Sequence, residues 1–238
     1  MAHSLASNTP VDLALFGPAH VAMLAGVLLA AGALAALQRT LVRRSPWLRL
    51  GLGALLLLET LAWYAYQARL GQLTFPAHLP LELCDVTLFL TIAELFTLSA
   101  ALFDICYYLA LAGTSMALLT PDLWERFPSL STGQFFFAHG LVVSAVLYLA
   151  WSGLAAPRPG SVRRAMVALN VWAGVAGCFD LLFKTNYMYL LQKPAQNSLL
   201  NLLGPWPWYI AAGEVVALAL FGLLYLPFRH RKADPLRR

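Results

Sequence analysis

The sequence predicts an all-α, polytopic membrane bundle of about seven transmembrane helices, N-terminus outside and C-terminus cytoplasmic. Three observations predict it. Sixty per cent of the 238 residues are hydrophobic and only 11% are charged. The apolar residues gather in runs of about 20, the length that crosses a bilayer. The Lys and Arg residues fall in alternate connections between those runs. A soluble domain is about a quarter charged, so this composition cannot clothe a water-facing surface. Abundant apolar side chains likewise exclude intrinsic disorder.

The spans follow in order. The first is expected over Pro18–Gln38, the second over Leu48–Gln67 and the third over Leu81–Ser99. The fourth is expected over Ala101–Leu119, the fifth over Gly133–Gly153, the sixth over Val162–Phe183 and the seventh over Trp206–Pro227. The third and fourth are separated by almost nothing, and Asp104 interrupts the apolar run. They form a tight hairpin, or one of them is tilted or re-entrant. One domain over 1–238 is expected, with a short N-terminal extension (1–15) and a basic tail (228–238). The first apolar run lacks a basic leader and merges into a full span, so no cleavable signal peptide is expected.

Orientation follows from the charge count. Arg39, Arg43, Arg44, Arg49, Arg158, Arg163, Arg164, Arg229, Arg231, Lys232, Arg237 and Arg238 fall on one side. Arg69, Arg126, Lys184 and Lys193 fall on the other. Twelve against four places the C-terminus in the cytoplasm of a multi-pass cell-membrane protein. The basic residues then read as topology determinants beside anionic head groups, and no nucleic-acid partner is expected.

Polar groups inside spans are costly and mark function by default. With this orientation, His20, Cys84, Asp85, Asp122, His139, Asp180, Asn186, Asn201 and Trp206 converge near the outer ends. They predict a pocket open to the extracytoplasmic side. Glu59, Glu94 and Glu214 lie deeper and read as interhelical hydrogen-bonding groups. His78 belongs to an outer loop and stands at the pocket mouth. Cys84 opens a helix behind Pro80, where the helix N-terminus favours a thiolate. A Cys84–His139 pair is the minimal kit for acyl transfer, with Asp85 or Asp180 to orient the imidazole. Against this stand a packing role for a lone cysteine and a Cys84–Cys178 disulfide. No motif spacing marks a metal site or a cofactor.

The stretches FGPAHV, HLPLELCDV, FFFAHG and above all NYMYLLQKPAQNSLLNLLGPWPWYI resemble the YwaF-like bacterial integral membrane proteins, a family similar to animal transmembrane protein 164. The resemblance runs from Phe16 to Tyr225. It implies cysteine-dependent transfer of a fatty acyl chain between phospholipids, with Cys84 as nucleophile and His139 as general acid/base. Glu82 stands where histidine is expected in many relatives. Asn186, Asn201 or helix-start N–H groups are expected to hold an oxyanion, and His20, Asp122 and Trp206 to complete the substrate pocket. The partners are then membrane lipids. A non-covalent transporter or lipid-binding protein is the alternative.

Overall fold

The computed structural model describes residues 13–43, 45–121, 123, 127–194 and 199–229. Asp122 lies outside them, as do most of the N-terminal extension and the basic tail. The described residues form helices and connections, with no strand among them. They are α1 (Pro18–Thr40), α2 (Trp47–Arg69), α3 (Leu83–Thr97), α4 (Ala100–Tyr108), a π-helical turn (Leu109–Thr114), α5 (Ser115–Leu119), α6 (Leu130–Ser152), α7 (Ser161–Phe183) and α8 (Trp208–Tyr225). Among the described residues, six stretches are long and apolar enough to cross a membrane: α1, α2, the continuous run from Ala100 to Leu119, α6, α7, and α8 with its short extension to Phe228.

The third expected span is the exception. α3 has 15 residues, about 22 Å at 1.5 Å per residue, against about 30 Å of hydrocarbon. The reason lies just before it. Trp172 stands eleven residues from either end of α7, and its indole N–H donates to the Leu81 carbonyl at 3.1 Å. The end of this connection, residues 79–82, is therefore half-buried beside the middle of α7, where α3 begins, while residues 70–75 stay exposed. Irregular backbone at that depth is tolerated only where protein or a cavity surrounds it. At the other end of α3, Leu98 takes the left-handed conformation (φ 52°) and Ser99 caps α4, so the chain reverses at once.

Surface and interior are inverted relative to a soluble protein. Leu29, Leu58, Leu182 and Val215 are 72%, 64%, 76% and 68% exposed, while His20, Glu94, Asp104 and Asp180 are fully buried. Exposed leucines along several helices suit contact with lipid tails, not water. The core joins Leu56, Leu95, Phe103, Tyr108, Val142, Val146, Tyr148 and Leu149, so α4 and α6 form the centre. α1 lies close against α6. A Cβ added at Gly140 would stand 2.9 Å from a Val27 methyl, and the Ser144 hydroxyl donates to the Val27 carbonyl at 3.0 Å. Small residues that let helices approach are the usual packing device within membranes.

One end of the bundle gathers the arginine-bearing turns. There the Tyr148 hydroxyl donates to Gln38 Oε1 at 2.8 Å, and Arg49 donates to the Leu95 carbonyl. Fully buried Asp104 accepts from the Arg158 backbone N–H and from the guanidinium groups of Arg158 and Arg164, at 2.7–2.9 Å. Asp104 thus belongs to a clamp between the start of α4 and the α6–α7 turn, which is how an acid sits in an apolar run. At the opposite end, His20 joins α1 to α5, as described next.

A candidate site in a cavity between three helices

A cavity of ≈ 270 Å³ lies among α2, α3 and α6. α2 lines it with Glu59, Thr60, Trp63, Tyr64 and Gln67, and the connection before α3 adds Leu73, His78 and Leu79. α3 supplies Cys84, Asp85 and Leu88, the π-helical turn supplies Thr114, and α6 supplies Gln134, Ala138, His139 and Val142. Cys84, Asp85 and His139, three of the four expected catalytic residues, therefore line one cavity. The half-buried end of the connection, residues 79–82, makes this possible, since the first turn of α3 then lines the same cavity as His139, two and a half turns into α6.

The start of α3 is held from several sides. Asp85 Oδ2 accepts from the Glu82 backbone N–H at 3.2 Å, half of a reciprocal capping box. Glu82 Oε2 accepts from the Met188 N–H at 2.9 Å, tying α3 to the Tyr187–Tyr189 turn. The Tyr187 hydroxyl donates to the Pro76 carbonyl at 2.8 Å and accepts from the Leu79 N–H at 2.9 Å. Burial pushes the Tyr187 phenol above its ordinary range, so it remains a donor across the physiological range.

His139 Nδ1 lies 2.8 Å from the Phe135 carbonyl. A carbonyl only accepts, so Nδ1 carries the proton and Nε2 keeps its lone pair. The Phe135 ring lies over the imidazole at 4.0 Å between centroids, fixing its plane. The backbone carbonyl of the preceding turn orients this histidine, in the place where the sequence suggested Asp85 or Asp180.

The other expected site residues are placed apart from the cavity lining. His20 is fully buried; its Nδ1 accepts from the Phe16 N–H at 2.9 Å and its Nε2 donates to the Leu118 carbonyl at 2.7 Å. Asp180 Oδ1 accepts from the Thr185 hydroxyl at 2.6 Å and the Tyr187 N–H at 2.9 Å. Asn186 Oδ1 accepts from the N–H groups of Leu191 and Gln192, both at 3.0 Å. Trp206 is 58% exposed and donates to the Leu190 carbonyl. Asn201 is exposed in a short turn before α8. Asp180, Asn186 and Trp206 fix the segment after α7, where Lys184, Met188 and Tyr189 all have positive φ. Such residues persist only where surrounding contacts over-determine them.

Two of the deeper acids make the interhelical bonds expected of them. Gln134 donates to Glu59 Oε1 at 2.9 Å between α6 and α2, and Asn170 donates to Glu214 Oε2 at 2.8 Å between α7 and α8. Both oxygens of Glu94 are buried without such a partner. The three cysteines are free, with Cys178 exposed, so Cys84 and Cys178 form no disulfide. Among the described residues, no group of three or more His, Cys, Asp or Glu could hold a metal ion.

No curated protein and no solved structure matches the sequence. A family model does match, and it covers residues 15–225, from the approach to α1 through the end of α8, with every residue of the cavity inside it. On that match the chain belongs to the TMEM164 family.

Proposed function

We propose that this protein is an intramembrane enzyme that moves a fatty acyl chain from a phospholipid, using Cys84 as nucleophile and His139 as general acid/base. The observation that carries the reading is the presence of Cys84 and His139 in one cavity, with the His139 tautomer set by Phe135 so that Nε2 keeps its lone pair. The Cys84 thiol attacks the ester carbonyl as its proton passes to Nε2. The same proton then goes to the departing alkoxide, leaving a thioester on Cys84 and a lysolipid. A second lysolipid or water takes the acyl group, giving transfer or hydrolysis. The cavity has room for the ester group, and the chain lies between helices. Lipid is therefore both substrate and solvent. Asp85 supports the pair by holding the first turn of α3 in place.

We further propose seven crossings, with α3 and the connection before it as the third. The C-terminus then lies in the cytoplasm, and the cavity opens to the extracytoplasmic side of the cell membrane. The twelve-to-four distribution of Lys and Arg supports this. The test of function is acyl exchange in vesicles of defined phospholipid composition. Cys84→Ala is expected to lower turnover at least about 10³-fold. Turnover equal to that of the unmodified protein removes Cys84 from the reaction and leaves non-covalent lipid binding or transport as the reading.

A further inference from the structure

Threonines in helices ordinarily donate their hydroxyl to the carbonyl four residues back. Six threonines here do so: Thr40 to Ala36, Thr60 to Leu56, Thr87 to Leu83, Thr91 to Thr87, Thr97 to Ala93 and Thr120 to Met116, at 2.7–3.0 Å. Thr114 does not. It ends the π-helical turn, and its hydroxyl is buried with no hydrogen-bond partner. The cause is local. The carbonyl four residues back belongs to Ala110, and there the backbone N–H and the hydroxyl of Ser115 both donate to it. A carbonyl has two lone pairs, so the π-helix takes away the acceptor that an α-helix would have offered. Thr114 is only 2% exposed, and an unpaired buried hydroxyl is costly. It is also the residue of the π-helical turn that lines the cavity holding Cys84 and His139. Single π-helical turns within α-helices often mark functional positions.

We infer that the Thr114 hydroxyl donates to the carbonyl oxygen of the acyl substrate and to the oxyanion formed from it. This rests on the Cys84–His139 reading above and adds the group that reading lacks. When sulfur attacks, the S–C bond forms and the carbonyl electron pair moves onto oxygen, where the Thr114 O–H donates to it. When the intermediate collapses, the pair returns, the ester C–O bond breaks, and the alkoxide leaves with the proton held by His139. Asn186 and Asn201 do not line the cavity, so this donor comes from the π-helical turn instead of the segment between α7 and α8.

The experiment compares two reactions of Cys84 in the full-length protein in micelles, read by mass spectrometry of the Cys84 peptide. One is acylation by p-nitrophenyl palmitate, which passes through an oxyanion. The other is alkylation by iodoacetamide, which does not. Thr114→Val keeps the shape and removes the hydroxyl; Thr114→Ser keeps the hydroxyl. The expected result is a loss of about 10²-fold in acylation for Thr114→Val, the scale of one oxyanion donor. Its alkylation rate stays unchanged, and Thr114→Ser acylates within a few-fold of the unmodified protein. Equal losses in both reactions make Thr114 a packing residue and overturn the proposal, as does Thr114→Val acylating at the full rate. If the unmodified protein is alkylated at Cys84 but never acylated, the Cys84–His139 reading itself fails and this inference falls with it.

Discussion

Cys84 and His139 show how much chemistry one residue's surroundings decide. The imidazole is set by the Phe135 carbonyl and the Phe135 ring, so the tautomer needs no carboxylate partner. His139→Ala is expected to lower acyl exchange about 10²–10⁴-fold, the usual weight of a general acid/base, and lipid binding measured by fluorescence is expected to persist. Asp85→Asn keeps an acceptor for the Glu82 N–H and is expected to lower exchange far less than His139→Ala. A loss as large as that of His139→Ala would make Asp85 a direct partner of the reaction. Tyr187→Phe removes both bonds to the connection before α3, to Pro76 and from Leu79. It is expected to cost about 1–3 kcal/mol, read as a lowered unfolding midpoint in detergent. At this scale the sequence was partly legible. Depth along a helix is a count of residues, which is why Cys84, Asp85, His78 and His139 could be set at related levels. Direction around the helix is a matter of packing. His20 and Asp180 lie near helix ends like the cavity residues but face other partners. Thr114 carried no signal, because nothing in LALAGTS distinguishes a π-helical turn from an α-helix.

At the scale of elements, the connection before α3 matters most. Its length and its prolines are visible in TFPAHLPLELCD, but its path into the bundle is not. The path is fixed by bonds to Trp172 of α7 and to Tyr187 of the turn that follows it. That is why the third span was expected at full length and α3 is a 15-residue helix. The α1–α6 contact gives a prediction at this scale. Gly140→Ala would bring a Cβ to 2.9 Å from Val27, and the β-branched Val27 has few rotamers to escape into. A loss of about 1–3 kcal/mol is expected, again read by unfolding in detergent. Gly133 has open space around it, so Gly133→Ala on the same helix is the matched control and is expected to keep the midpoint.

For the whole molecule, composition alone was enough to place the protein in a membrane, and the exposed leucines of the six long helices agree. The same low charge is sorted by position. Asp104 serves the arginine-rich end, and Asp85 and Glu59 serve the cavity. Orientation has its own test. A cysteine placed at Gln72, in the connection that enters the bundle, is expected to react with a membrane-impermeant thiol reagent on intact cells. One placed at Arg163 is expected to react only after permeabilisation, and the reverse pattern would invert the topology.

The central claim is that an acyl chain rests covalently on Cys84. The most direct measurement incubates the protein in vesicles containing phospholipid with an isotope-labelled acyl chain, then maps the label by mass spectrometry. The account predicts label on the Cys84 peptide, released by neutral hydroxylamine as a thioester must be, and absent after His139→Ala. Acyl exchange that proceeds with no label on Cys84, and at full rate in Cys84→Ala, would contradict it.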